Sequence, residues 1–532
     1  MVPAFVLWRP RWCPRDRGRA PGSGPPQLRT SAGGPVVATG KSNLTRVFVR
    51  LGRGRVLGET RPAFGPRRSP MYRVIASLLL AGLASAAGPV RAQWLYHDSL
   101  YADPSNLANG ASGVQFGRSM AIDRNADGSI RAMYVGLPYA TVTDVQGTDH
   151  PAAGKVEVWV PQGGWHLART LTNGGYTQAG AHFGAAIAVH RGAILIGSPD
   201  QDVQSGSNTR IDAGVVTLMA DDNAGAPGQT QPDIRTILWW SGTAAGQKRG
   251  WSVTIDGDGV TAGIDDAWFA FGTPYESGSG CARVGHLANG GQSNLMSNVC
   301  GPHASNFGSS LAIRHLDSSH FMLAVGAPAA VQGDQQLAGQ VGIYIAPISP
   351  PLDQPLLLET LTATSPAFLD AFGTSVAMDG SRIHVGGTGR QKSGVGRTGS
   401  VSIFKPCGII GHCLETEVFG PTAGDLCGAA LAANTRAIGA AFAMGCPGYD
   451  DMVVDAGRVA YVRYRYLAGS WSWAPAFIGM GDLPHGGDGL GRSVGLASGF
   501  IFAGAPGNDD LGSDNGVVRI FAPDRIFANG FD

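Results

Sequence analysis

Short apolar runs separated by polar turns fill the chain from residue 94 onward, and within the runs apolar and polar positions alternate with period two. That period predicts strands, because successive side chains of a strand point to opposite faces. The segment 375–385 is typical. Val376–Met378 alternates, Asp379–Gly380 follows, and Ile383–Val385 alternates back. Asp-Gly between two such runs predicts a hairpin, since a type I′ turn needs positive φ. A Gly-x-Pro step follows most second runs and ends them, because proline cannot donate to a ladder.

The runs repeat. A first motif reads FGRSMA (116–121), FGAAIA (183–188), RGWSVT (249–254), FGSSLA (307–312), FGTSVA (372–377), CGAALA (427–432) and LGRSVG (490–495). Its glycines fall at 117, 184, 250, 308, 373, 428 and 491. A second motif follows each copy, as in VGLP (135–138), VGAP (325–328) and AGAP (503–506). A third, as in GKVEVW (154–159), GQVGIYI (339–345) and GVVRIF (516–521), supplies another strand. A fourth strand precedes the next copy, as in WHLARTL (165–171), TILWWSG (236–242) and WSWAPAFI (471–478); only the stretch between Leu287 and Phe307 is unclear.

Four strands in each of seven units predict an all-β protein, a seven-bladed β-propeller of four-stranded blades over residues 93–523. The seventh copy lacks a fourth strand, whereas WLYHDSL (94–100) stands unattached before the first. Ring closure by this N-terminal strand removes the sheet edges. The alternative, an open solenoid, needs polar caps at its ends, and none is visible.

The repeat settles the meaning of GRSVG (491–495), which fits the G-x-S-x-G nucleophile elbow. Ser493 holds the position of Ser119, Ser252, Ser310 and Ser375, and of Ala186 and Ala430. A nucleophile is not copied around a scaffold and replaced by alanine, and the elbow needs a strand–turn–helix setting. Ser493 is therefore expected to be a small packing residue where backbones approach closely.

The ends change the charge balance. Residues 71–92 have the anatomy of a secretory signal peptide: a basic start (Arg73), an apolar run from Val74 to Leu83, and small residues before Val90-Arg91-Ala92. The run is shorter than the roughly 20 residues that span a bilayer, and no later segment suffices. Met71 is then the expected start, with 1–70 a mis-assigned upstream or disordered segment. Residues 1–92 hold 16 of the 40 Lys+Arg and 2 of the 39 Asp+Glu. The rest carries 24 basic and 37 acidic residues, a net of −13. An acidic exported chain offers no basic patch to nucleic acid. Six cysteines remain beyond Cys13. In an oxidising compartment an even count predicts disulfides; six cysteines allow 15 connectivities, and the pairing of sequence neighbours, Cys281–Cys300, Cys407–Cys413 and Cys427–Cys446, is the expected one.

These units resemble FG-GAP repeats, the building blocks of the integrin α-subunit head, most clearly in FGTSVA…HVGG, FGSSLA…VGAP and LGRSVG…AGAPGNDD. The resemblance covers nearly all of 94–521 and implies an extracellular propeller acting in adhesion or ligand binding. The last residues, RIFANGFD (525–532), form a tail similar to short C-terminal tails of exported bacterial proteins. The family's Ca2+ loop, D-x-[DN]-x-[DN]-G-x-x-D, is matched in part by Asp123, Asn125, Asp127 and Gly128, with Arg131 in place of the closing acid. Alternate oxygens on a tight loop suit a hard cation; an Asx-stabilised hairpin turn is the other reading. Asp256 and Asp258 echo the pattern weakly, and Asn508, Asp509, Asp510 and Asp514 form a further acidic loop.

No catalytic constellation is visible. His182, His303 and His384 are scattered and no zinc spacing occurs. Asp265/Asp266 and Asp450/Asp451 fall in turns. Trp239, Trp240, Trp471 and Trp473 offer rings for sugars, although alternation sends one of each pair into the core. The expected function is a secreted or surface-located monomeric propeller that binds a protein or glycan ligand. The alternative is a hydrolase or lyase working in the channel. A shallow mouth with aromatic loops favours the first, and a cluster of perturbed carboxylates or histidines in the channel favours the second.

Overall fold

The computed structural model describes residues 94–107, 112–224, 231–257, 267–288, 292–317, 320–347, 354–380, 382–408, 411–433, 440–450, 453–467, 470–479 and 484–523. The expected segments 1–70 and 71–92 and the tail lie outside them, as do Asp258, Asp265, Asp266 and Asp451.

Seven antiparallel four-stranded sheets form a ring, and no α-helix occurs among the described residues. Blade 1 runs Met120–Arg124, Ile130–Leu137, Lys155–Pro161 and Trp165–Leu171. Blades 2 to 6 repeat this order, starting at Ala186, Val253, Ser310, Phe372 and Ala430. The unclear fourth strand of blade 3 is Gln292–Cys300. First strands of successive blades lie side by side, including blade 7 against blade 1. They form the inner wall.

Blade 7 takes its fourth strand from the other end of the chain. Trp94–Leu100 pairs antiparallel with Val517–Pro523, from Trp94 opposite Pro523 to Leu100 opposite Val518. The chain then crosses to blade 1. There Glu157, buried, accepts from Asp103 N (2.9 Å), Asn106 Nδ2 (2.7 Å) and Trp159 Nε1 (3.0 Å). One segment thus ties the last blade to the first.

The repeated motif is the seam between blades. All seven motif glycines have φ of +85° to +96°, a region only glycine enters freely. The residue before each donates its N–H to the loop of the preceding blade at 2.9–3.1 Å, from Phe116 to Asn515 O round to Leu490 to Ala456 O. The second-motif glycine lies under the next blade's motif glycine. A Cβ at Gly136, Gly197, Gly272, Gly326, Gly386, Gly445 or Gly504 would stand 1.9–2.3 Å from that carbonyl oxygen. Where the motif carries serine, its hydroxyl bonds the same oxygen: Ser119 to Gly184, Ser252 to Gly308, Ser310 to Gly373, Ser375 to Gly428 and Ser493 to Gly117, at 2.5–2.8 Å. Ser493 begins a strand, is 8% exposed and closes the ring.

The second strands are buried along their length, as Ala193–Ser198 and Ala267–Thr273 show. They do not follow the expected alternation, because neighbouring blades cover both faces. His384 is the clearest case. It sits at 0% exposure against Phe442, with Nε2 3.0 Å from Asp379 Oδ2. The three expected disulfides form, and Cys281–Cys300 staples residues already paired across strands.

Candidate ligand-binding face

In such a blade the turns between strands 2 and 3 and the connections to the next blade share one face of the ring. On this face the loops are long and carry small hairpins of their own: Val142–Thr143 with Asp149–His150, Val203–Ser205 with Asn208–Arg210, and Gln391–Lys392 with Gly396–Arg397. The opposite face carries mostly shorter turns. Function collects on elaborated loops held by a rigid scaffold.

The residue after each motif glycine stands where an inner strand begins. Arg118, Ala185, Trp251, Ser309, Thr374, Ala429 and Arg492 hold these positions. Arg118, Trp251, Thr374, Ala429 and Arg492, with Thr388 and Leu426, line one cavity of about 450 Å3 at the mouth of the channel. A neighbouring cavity of about 310 Å3 shares Arg118, Leu426 and Arg492 and adds Asp455, Asp488 and Asp514. Neither arginine is in an ion pair among the described residues. Burial and repulsion from Arg492 push the Arg118 pKa down from its usual value. Two guanidiniums held close and partly desolvated are a standing attraction for an anionic or strongly hydrogen-bonding group.

Aromatic side chains surround this mouth. Trp251, 43% exposed, meets Tyr275 edge to face at 5.9 Å. Tyr139 packs on His182 at 4.5 Å. His182 Nδ1 lies 2.5 Å from Asp200, which Lys248 also contacts. Burial alone would raise the Asp200 pKa, but its bonds to His182 and Lys248 outweigh that and hold it low.

The other end of the channel is tighter. Asp123, Asn125, His190 and Asp256 line a cavity of about 80 Å3, with His190 Nδ1 3.5 Å from Asp256 Oδ1. The Asp123 carboxyl is pushed up by burial but is paired with Arg131 at 3.2 Å, and Arg131 also contacts Asp221. This space admits a few waters, not a polymer substrate.

The residues of the partial Ca2+ loop are divided. Asp123 faces the Arg131 pair between blades. Asn125 and Asp127 build the turn: Asn125 Nδ2 donates to Ser129 Oγ (2.9 Å), and Asp127 Oδ1 accepts from Ser129 N (2.9 Å) and Oγ (2.6 Å). In the acidic loop, Asp510 accepts from Tyr101 and Arg519, while Asp509 and Asn508 cap backbone amides. Asp450 likewise accepts from Asp455 N at 2.9 Å. Among the described residues, no group of three or more His, Cys, Asp or Glu is placed to hold a metal.

Trp239 and Trp240 divide as alternation requires: Trp240 is 8% exposed in the core and Trp239 is 40% exposed. Trp473 is half-buried against Phe442 and Tyr464, and the Trp471 side chain lies outside the described residues. Sequence reasoning missed Arg118 and Arg492, although both stand inside quoted motifs.

No protein-family model and no curated protein sequence matches the chain. No helix among the described residues is long and apolar enough to cross a membrane. Fold and site define a seven-bladed β-propeller with an open, arginine- and aromatic-lined loop face.

Proposed function

We propose that this protein is an exported FG-GAP-type propeller, similar to the integrin α-subunit head, that binds an extracellular protein or glycan on its loop face. The observation that carries this reading is the open mouth of about 450 Å3, where Arg118 and Arg492, without an ion-pair partner among the described residues, stand beside exposed Trp251. Loop aromatics and arginines supply rigid contact area and directed hydrogen bonds, the usual composition of recognition surfaces. The export reading rests on the 71–92 segment and accords with three disulfides. The hydrolase or lyase reading has one observation behind it, the Asp123–His190–Asp256 group. The ion pair of Asp123 and the small space there weigh against it.

The test is a glycan and extracellular-matrix-protein array probed with wild type and with Arg118→Glu/Arg492→Glu. Binding lost in the variant at unchanged melting temperature supports the reading. Binding untouched by the variant, or turnover on ester or glycoside panels, overturns it. Ca2+ at Asp123, Asn125 and Asp127 is part of the same proposal, as a clamp on one hairpin. It requires Asp123 to leave Arg131 for the cation. Millimolar Ca2+ then raises the melting temperature of wild type and not of Asp127→Ala.

A further inference from the structure

We propose that the outer flank of blade 2 holds a separate binding site for a neutral pyranose sugar. The groove measures about 660 Å3, within the range of small-molecule sites. It lies between the connection leading into blade 2 and the hairpin Val203–Ser205/Asn208–Arg210. Tyr176 and Trp239, 58% and 40% exposed, form one wall, with ring centroids 4.7 Å apart and planes at 56°. Two rings meeting at an angle offer flat apolar faces to the C–H side of a sugar, and exposing both to water is costly without an occupant.

The polar side is built from within. Thr217 Oγ1 donates to Asn173 Oδ1 (3.1 Å), Asn173 Nδ2 to Gln201 Oε1 (3.2 Å), and Gln201 Nε2 to Gln178 Oε1 (2.6 Å). Thr217, Asn173 and Gln201 are 0%, 5% and 6% exposed. Asp202 N also donates to Gln178 Oε1 at 2.9 Å. The buried relay therefore fixes the carboxamide of Gln178 and leaves its NH2 without a protein acceptor among the described residues. Asp202 Oδ1 accepts from Asp212 N (2.8 Å), and its second oxygen is left as an acceptor. The indole N–H of Trp239 is a further donor with no protein acceptor among the described residues. An oriented donor, an acceptor and an indole N–H beside an aromatic wall match ring hydroxyls presented next to C–H faces.

The occupant is neutral because the lining is nearly so. Asp202 is its one charged residue, and a carboxylate repels sulfated or uronic sugars. Blades 3, 5, 6 and 7 tie their loop-bearing ends with arginine–carboxylate pairs instead: Arg283–Glu276, Arg390–Glu417, Arg458–Asp425 and Arg519–Asp510. Blade 2 has its own ion pairs there, Lys248 with Asp200 and Asp212, but beside its third strand it uses uncharged amides, which stand at a groove.

This inference rests on the reading of the chain as a binding propeller, but not on the channel mouth. The purified full-length protein is titrated with neutral monosaccharides and disaccharides by calorimetry and tryptophan fluorescence. Trp239→Ala, Gln178→Leu and the mouth variant Arg118→Glu/Arg492→Glu are run beside it. Trp239 is a surface position, so the melting temperature of Trp239→Ala should hold; Gln178→Leu also removes the acceptor of Gln201 Nε2 and Asp202 N, so its affinity is compared at a temperature where circular dichroism shows it fully folded. The expected result is a neutral pyranoside whose affinity falls about tenfold or more in Trp239→Ala. It falls severalfold in Gln178→Leu and stays unchanged in the mouth variant. Sugar binding that survives Trp239→Ala and is lost in the mouth variant overturns the groove and leaves the binding reading standing. A protein that binds matrix proteins but no neutral sugar at 10-millimolar order overturns the groove alone, and one that binds nothing overturns both.

Discussion

At the scale of single residues, the seam sets what each motif position can tolerate. A methyl group at Gly326 would meet both Gly373 O and Ser310 Oγ at 2.2 Å, and the first of these is a backbone atom of the neighbouring blade that cannot swing aside. Gly326→Ala should therefore cost more than about 3 kcal/mol, read by denaturant unfolding. Ser493→Ala loses one hydrogen bond to Gly117 O and should cost only about 1 kcal/mol. The alanine copies invite the reverse change. Ala186→Ser and Ala430→Ser each place a hydroxyl where five other blades already use one, and should gain up to about 1 kcal/mol. Glu157 adds a pH dependence. Burial raises its pKa from 4.5 to about 7, against the bonds from Asn106, Asp103 N and Trp159. The folded protein keeps that proton where the unfolded chain has lost it, so stability falls as pH rises from about 4.5 to about 7 and is level above. Melting curves across this window should slope downward in wild type and flatten in Glu157→Gln.

At the scale of elements, Trp94–Leu100 carries the most consequence for its length. Without it the strand Val517–Pro523 becomes an open edge of mostly apolar residues, which other chains can pair with. A variant lacking 94–100 should melt several degrees lower and self-associate, visible by light scattering, and a peptide of that sequence should reverse both effects. This element was legible because a fourth strand stood unattached at one end and a place was empty at the other. The seven-fold motif made the blades legible for the same reason: every seam needs a glycine at the same step. The site was less so. Arg118 and Arg492 occupy a motif position that reads Arg, Ala, Trp, Ser, Thr, Ala and Arg around the ring. Variation inside a fixed frame was the sign available, and it marks the side chains free of packing. The blade 2 groove left no trace of that kind. Thr217, Asn173, Gln201 and Gln178 come from three separate segments, and only the fold of that blade's outer end brings them into one chain of hydrogen bonds.

At the scale of the whole molecule, stability depends on a circle having no ends. Each blade buries its faces only against two neighbours, so losing one seam leaves two apolar surfaces exposed and weakens the rest. A circular permutant separates this effect from chain connectivity. Trp94 and Pro523 are already opposite each other in the closing pair, so a short turn can join them. New termini fit at the exposed Thr364–Ser365, between blades 4 and 5. Every blade is then built from consecutive strands, and all seven seams are retained, but no strand from one end locks the other. The permutant should keep the native circular dichroism spectrum and a single unfolding transition, because the seams are intact. It should unfold faster than wild type, since the terminal blades can now part by losing side-to-side contacts alone. Unfolding rates measured by denaturant jump decide the matter. Equal rates would mean that the seams, with their glycine contacts and serine bonds, hold the ring without help from the closing strand.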